Sequence, residues 1–373
     1  MPPVVIDLRQ AEDLRDVVHR AVQSLAEGEV VAFPTETVYG VAASALSEQG
    51  VQRLLEAKGR PQGQPLTLGI KSADEALDYV PDLSPLAQRL ARRCWPGPLT
   101  LVVPDNHPDS LVQQLPTSVK QAVVPQDTLG LRVPAHDTIL DVLRMLAGPI
   151  ALSSANLSGR PDAVTAAEVI EQLGEKIDLV LDDGRSRFAQ PSSVVRVNET
   201  GCEILREGVV PAATLKRLSS FLLLFVCTGN TCRSPMAEAL ARQMLAERLN
   251  CRIDELEERG ILVMSAGVAA MMGGRASPQA VDVMKSLGLD ISGHASQPLT
   301  ESLVRHADVI WTMTQAHRDA IVSQWPQAAS RVQILATSGG DLVDPVGQPV
   351  EIYQQCASQI RAELSERIGE LKL

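Results

Sequence analysis

Cys227 and Arg233 stand in a Cys-x5-Arg spacing within Phe225-Val-Cys-Thr-Gly-Asn-Thr-Cys-Arg-Ser-Pro-Met-Ala-Glu238. A thiolate is a strong nucleophile, and a guanidinium is a bidentate fork for phosphoryl oxygens. The apolar run Phe221–Cys227 (FLLLFVC) reads as a buried strand that delivers Cys227 to its C-terminal end, where open α/β sheets bind ligands. Ser234 and Pro235 occupy the positions of a helix N-cap and first turn, and Met236–Leu249 is amphipathic. The loop between strand and helix, Thr228, Gly229, Asn230, Thr231 and Cys232, therefore offers backbone N–H groups and a helix dipole to a tetrahedral anion. The same field favours a thiolate, but that raises the nucleophile population by only about one to two orders of magnitude. Most of the rate must come from stabilising the phosphoryl group in transit. The leaving group also needs a proton donor, for which Asp344, just before Pro345 in the loop Gly339–Pro349, is the candidate. Cys232 has two readings, a partner that traps an oxidised Cys227 as a disulfide or a packing residue.

The first half carries no such nucleophile. Its polar segments are Phe33-Pro-Thr-Glu-Thr-Val-Tyr-Gly40, Ala57-Lys-Gly-Arg-Pro61 with Pro65-Leu66, Trp95-Pro-Gly-Pro-Leu-Thr100 and Ser153-Ser-Ala-Asn-Leu-Ser-Gly159. None is a Walker loop or a GxGxxG. Lys58 and Arg60 put two cations beside a turn, while Ser154, Asn156 and Ser158 crowd hydrogen-bonding groups into another. Arg132 follows a strand-like run after Thr128, and Arg206 closes the last strand. Cations near strand ends suit a triphosphate and a carboxylate, although each arginine taken singly also suits a surface or packing role.

The segment CTGNTCRSPMAE resembles the active-site loop of the low-molecular-weight protein tyrosine phosphatase family. The match runs over roughly 221–373, supported by Ser265-Ala-Gly, Ala307-Asp-Val-Ile-Trp-Thr-Met313 and Asp344-Pro345. The resemblance implies a flavodoxin-like parallel sheet with Cys227 as nucleophile, Arg233 as phosphate clamp and Asp344 as general acid. It further implies that Asn230 braces the loop, that Ser234 supports the thiolate, and that no cofactor is needed. Thr231 stands where tyrosine phosphatases usually carry a branched aliphatic residue, and Val346-Gly347 follows where tyrosine-directed members often place aromatics. Both resemble the protein-arginine phosphatase branch, implying a phosphorylated protein as substrate; tyrosine phosphatase and arsenate reductase are the alternatives.

The segments PTETVYG, KGRP, WPGPLT, LRVP and SSANLSG, in this order, resemble the YrdC family over roughly 4–208. That resemblance implies a twisted α/β domain making L-threonylcarbamoyl-AMP from L-threonine, bicarbonate and ATP, with pyrophosphate released. The product would serve N6-threonylcarbamoyladenosine formation in tRNA, with tRNA-modification partner proteins. Thr35, Arg132 and Ser192 would hold threonine, Arg132 on its carboxylate; Lys58, Arg60, Gln64, Thr128, Ser154, Asn156 and Arg206 would surround ATP. Mg²⁺ would come on the ATP phosphates, since no acidic cluster is evident. The chain departs from the family at Gly69, where many synthases carry a histidine contacting threonine, and at Pro191-Ser192-Ser193, which replaces a Ser-Thr pairing. A YciO-type paralogue and a non-catalytic RNA-binding module cradling a tRNA are the alternatives for this half.

These residues need two scaffolds, and 373 residues suit two domains: 1–208, a linker at 209–220, and 221–373. Apolar runs at 66–70, 99–103, 129–133, 149–152, 178–181 and 194–197 alternate with helical patterns such as Ala11–Ala26, where Leu14, Val17, Val18, Ala21, Val22 and Leu25 share a stripe. That alternation predicts α/β layers. A net charge of −11 argues against a broad basic footprint for a long polyanion such as DNA, while leaving room for local cationic pockets. No apolar run approaches the roughly 18 residues of a membrane-spanning helix. Six cysteines without a CxxC pair suit a reducing cytoplasm, and the six histidines show no ligand spacing that predicts a structural metal.

Overall fold

The computed structural model describes residues 2–59, 63–198 and 201–371 and divides into two units, residues 1–218 and 219–373. Strands of the first unit are β1 Val4–Asp7, β2 Val31–Phe33, β3 Gly40–Ser44, β4 Thr67–Gly69, β5 Leu99–Pro104, β6 Thr128–Arg132, β7 Ile150–Ser154, β8 Leu179–Asp182, β9 Ser193–Asn198 and β10 Gly201–Arg206. They form one mixed sheet in the order β1-β8-β2-β3-β7-β4-β6-β5-β9-β10. Successive strand residues face opposite sides. Val31 and Phe33 of β2, Ile150 and Leu152 of β7, and Leu179 and Leu181 of β8 therefore enter one apolar cluster, while Ala32, Ala151 and Val180 enter another. Both faces are covered, so these strands read as continuous apolar runs.

Helix Leu14–Ala26 packs Val17, Val18, Ala21 and Leu25 inward, whereas Leu14, expected on that stripe, is exposed. It lies in the first turn, where the Cα–Cβ bond tilts toward the helix N-terminus and carries the side chain past the helix end. The chain between the two apolar patterns forms a helix, Ala212–Ser219, whose Leu215 is buried with the first unit's core.

In the second unit β11 Phe221–Cys227, β12 Ile261–Gly267, β13 Val309–Thr312 and β14 Val332–Ile334 form an all-parallel sheet in the order β12-β11-β13-β14. This is a flavodoxin-like arrangement. Leu223, Phe225 and Cys227 face a cluster that includes Met236, Leu240, Tyr353 and Ile360, while Leu222, Leu224 and Val226 face one that includes Val304 and Ile321. Because β12 and β13 flank β11 on opposite sides, the strand order reverses at β11. Its C-terminal end is the crevice where such sheets take ligands. Among the described residues no helix is long and apolar enough to cross a membrane.

Candidate active sites

Cys227 ends β11, and helix Arg233–Arg248 begins six residues later. The helix starts one residue before Ser234. The N-cap position is Cys232, which makes no side-chain capping bond, so Ser234 is not the N-cap that the sequence suggests. Its hydroxyl is committed elsewhere: Ser234 Oγ lies 3.0 Å from Cys227 Sγ and accepts from Asn230 Nδ2 at 2.9 Å. Asn230 is buried with φ 54°, a left-handed conformation that Asn tolerates better than most residues. This bend turns the Asn230 N–H back onto Cys227 Sγ at 3.2 Å. Gly267 ends the neighbouring strand, and a Cβ there would lie 2.5 Å from the Thr228 carbonyl oxygen. Only glycine allows that backbone approach.

The direction of each bond around Asn230 is determined. Gln297 N–H donates to Asn230 Oδ1 at 2.9 Å, so the amide must donate from Nδ2, to Ser234 Oγ and to Ser265 Oγ at 2.9 Å each. Ser265 donates onward to Glu238 Oε2 at 2.6 Å. The Ser234 hydroxyl proton then has two acceptors in reach, the Cys227 sulfur at 3.0 Å and the Ala266 carbonyl oxygen at 3.5 Å. Burial pushes the Glu238 carboxyl above the usual carboxylate range, with Ser265 opposing. His294 Nε2 lies 2.8 Å from the Asn230 carbonyl oxygen, a second brace on the same residue. Thr228 Oγ1 lies 2.8 Å from His317 Nε2, and His317 Nδ1 lies 2.8 Å from Thr314 Oγ1. Burial, and then the Arg233 charge, hold His317 below the ordinary histidine pKa.

Arg233 is buried and donates from Nη2 to half-exposed Asp344 Oδ2 at 2.7 Å, bringing the two ends of the second unit's sequence together. Cys232 Sγ contacts Ser277 Oγ at 3.3 Å and Tyr353 Oη at 3.6 Å. Thr231 Oγ1 has Cys232 Sγ at 3.7 Å, and Gly229 completes the turn before Asn230. Cys356 is a different kind of thiol, pushed up to about 12 by burial.

In the first unit, Thr35, Lys58, Gln64, Thr128, Arg132, Ser154, Asn156, Ser192 and Arg206 all line one cleft of about 580 Å³. Arg60 lies outside the described residues. Lys58 ends helix Glu48–Lys58, and its buried ammonium donates to Ser154 O at 2.6 Å and Asn156 Oδ1 at 2.9 Å. Arg132 ends β6, and its Nη2 donates to Glu36 Oε1 at 2.8 Å and Thr37 Oγ1 at 2.7 Å, while its buried Nε has no partner among the described residues. Glu36 also accepts from the Ala135 N–H at 2.9 Å. Arg206 grips Ser192 through the carbonyl oxygen, at 3.1 and 2.8 Å from Nε and Nη2, and burial lowers its pKa from the ordinary value. Ser192 Oγ pairs with Thr100 Oγ1 at 3.0 Å, and Thr35 donates to Val38 O at 2.6 Å.

Gly69 does not line this cleft. A Cβ there would lie 2.8 Å from Ile150 Cγ1, so a larger residue would have to displace a core side chain. Asp162 is the one carboxylate among the described lining residues, and no group of three or more His, Cys, Asp or Glu that could hold a metal exists among the described residues. The cleft's own donors do not fit a protein-held Mg²⁺. Sequence reasoning missed Glu36, although it lies inside the PTETVYG segment, and it missed His294 and His317, whose partners are distant in the chain.

Residues 23–208 match the Sua5/YciO/YrdC family model, described as telomere recombination, and residues 222–372 match that of the low molecular weight phosphotyrosine protein phosphatases. The chain is 38% identical over 200 residues to a threonylcarbamoyl-AMP synthase of Pyrococcus abyssi, covering 52% of this chain and 54% of that protein. It thus spans about half the length of that relative. It is also 38% identical over 154 residues to a protein-arginine-phosphatase of Bacillus subtilis, covering 40% of this chain and 96% of that one. A solved structure of a doubly substituted P. abyssi Sua5 is similar with TM-score 0.52 at 26% identity, covering 72% of this chain and 91% of that one. The chain belongs to the Sua5/YciO/YrdC family through its first unit and to the low molecular weight phosphatase family through its second.

Proposed function

We propose that the chain is bifunctional, joining ATP and threonine through a carbamate in its first unit and hydrolysing phosphorylated protein, with phosphoarginine preferred, in its second. What carries the phosphatase reading is the Cys227 sulfur, faced by the Asn230 N–H and the Ser234 hydroxyl beside the buried Arg233 guanidinium. The thiolate attacks phosphorus, the P–N bond of phosphoarginine breaks, and the departing guanidine takes a proton. Asp344, paired with Arg233 beside the loop, is our candidate to supply it. The Arg233–Asp344 pair must part first. A phosphoryl group that captures Arg233 frees the carboxyl for the leaving nitrogen, so substrate binding itself arms the acid. Water then attacks the phosphocysteine, and Asp344 accepts its proton. The Thr231 hydroxyl on the loop supports a polar guanidine over an aromatic leaving group.

The first-unit reading rests on the convergence of cations and hydroxyls from separate segments into one cleft. Arg132 would take the threonine carboxylate, and the Lys58, Ser154 and Asn156 cluster and Arg206 the nucleotide. The carbamate oxygen attacks the α-phosphorus and pyrophosphate leaves, a step that asks for positioning and charge neutralisation rather than a protein nucleophile. Mg²⁺, bicarbonate, delivery of the product to tRNA, contact with double-stranded RNA and a cytoplasmic setting belong to this proposal.

With the full chain, pyrophosphate release is expected only when threonine, bicarbonate and ATP are present together. Release without threonine, or salt-sensitive RNA binding with no release, overturns the synthase reading. On a panel of phosphoarginine protein, phosphotyrosine and arsenate, the expected order puts phosphoarginine first; faster phosphotyrosine turnover overturns the preference.

A further inference from the structure

A second cavity of about 390 Å³ in the first unit shares only Thr35 with the main cleft among the described lining residues. Two residues that line it carry a buried polar atom without a partner among the described residues: the hydroxyl of Ser186, a residue 6% exposed, and Nδ1 of His136. Buried polar atoms are nearly always paired, so two unpaired ones in residues of one cavity leave hydrogen-bonding capacity for a ligand there. The charges around them are unevenly engaged. The carboxylates are occupied, Glu36 by Arg132 Nη2 and the Ala135 N–H, and Asp183 by His136 Nε2 at 3.2 Å. Arg185 and Arg187 line the same cavity and are exposed, and neither is ion-paired among the described residues. Arg187 lies 5.2 Å over the Phe188 ring. Two uncommitted cations, a hydroxyl and an imidazole nitrogen form a donor set for an oxyanion.

We propose that this cavity is a second anion site, distinct from the ATP and threonine cleft, that takes a phosphoryl group. Arg185 and Arg187 supply the charge, and Ser186 Oγ donates from the wall. With His136 Nε2–H on Asp183, Nδ1 accepts the P–OH proton of a phosphate monoanion or, on the imidazolium, donates to the dianion. Glu36 lies on this cavity's wall and also holds Arg132 in the main cleft, so occupancy here reaches the proposed threonine site through one ion pair.

The test uses the full chain, inorganic phosphate as probe, and the ¹H–¹⁵N signals of its six histidines, His136 being assigned with His136→Gln. His317, bonded to Thr228 on the phosphatase loop, reports phosphate at that other site in the same spectrum. The expected result is a saturable movement of the His136 signal. Its midpoint should rise at least about tenfold in the Arg185→Gln/Arg187→Gln variant, as loss of charge-assisted contacts requires, while the His317 response stays unchanged. Because both arginines are exposed, that variant tests charge rather than folding; Ser186→Ala should weaken binding by a smaller factor. A His136 signal that stays still while His317 saturates overturns the site, as does an unaltered midpoint in the double variant. Movement with RNA but not with phosphate overturns it in favour of an RNA contact.

Discussion

In the second unit, the thiol, the guanidinium and the hydroxyl facing the thiol come from eight consecutive residues, Cys227 to Ser234, plus one remote carboxylate, Asp344. In the first unit, the cleft draws on chain segments from Thr35 to Arg206, carried by β3, β4, β5, β6, β7, β9 and β10, a helix end and loops. A strand–loop–helix junction shapes its own anion cradle, because the backbone that supplies the N–H groups also positions the side chains. A site spread over a sheet has to hold each polar group through some other residue. Its cations therefore double as structural partners: Lys58 ties down Ser154 and Asn156, and Arg132 neutralises Glu36. Substitution of the nucleophile in the loop should damage chemistry alone, whereas substitutions in the cleft should damage chemistry and stability together.

The sharpest break in this comparison is Cys227→Ser, which is expected to cut phosphatase turnover by at least about a thousandfold while leaving three-substrate pyrophosphate release intact. Parallel loss of both activities in the same preparation would erase the distinction. Next in size, Arg132→Ala leaves the Glu36 carboxylate buried without its cation and is expected to cost about 3–5 kcal/mol in denaturant unfolding. Adding Glu36→Gln should recover part of that stability but not the threonine-dependent activity. If Arg132→Ala lost activity with unchanged stability, the dual role would be wrong.

Asn230 refines the picture within the loop. Asn230→Ala and Asn230→Gly both remove the amide that orients Ser234, and each should lower turnover by roughly ten- to a hundredfold. Only alanine is also strained at φ 54°, so it should be less stable than the glycine variant by about 1 kcal/mol. Equal stabilities would mean that the backbone does not depend on the left-handed turn.

The smallest effect is one of pH. His317 titrates below its ordinary value of 6.5 in the folded chain, so the unfolded chain binds more protons between that value and the folded one. Its contribution is therefore fully present above pH 6.5 and is lost as pH falls through the interval below. His317→Gln should flatten the stability profile there; an unchanged slope would assign the pH dependence to another group.

Much of this was readable from pattern. Continuous apolar runs announced β4 to β9 and β11; β8 and β11 are buried on both faces, which leaves no polar alternation, whereas β5, β6 and β9 turn Thr100, Thr128, Arg132 and Arg196 to the cleft. β3 (GVAAS) carries little strand propensity, and its pairing with β2 and β7 makes it a strand. Ser234 shows the opposite failure. Ser-Pro has the form of a helix start, but the hydroxyl is taken by Cys227 and Asn230, and the helix begins one residue earlier without a side-chain cap. The Glu36–Arg132 pair spans 96 positions, and the His294 and His317 contacts on the loop span 64 and 89, so no local spacing could have shown them.

The sequence by itself determined which groups could do chemistry and the order of elements carrying them, because strand period, turn chemistry and the Cys-x5-Arg spacing all act within a few residues. Only the tertiary structure decided which carboxylate meets Arg233, which acid holds Arg132, and that His136 lines one cavity with Arg185, Ser186 and Arg187. Those pairings depend on how distant segments are brought side by side by burial of their apolar faces. That burial fixes contacts through volume and area, which the linear order of side chains does not encode.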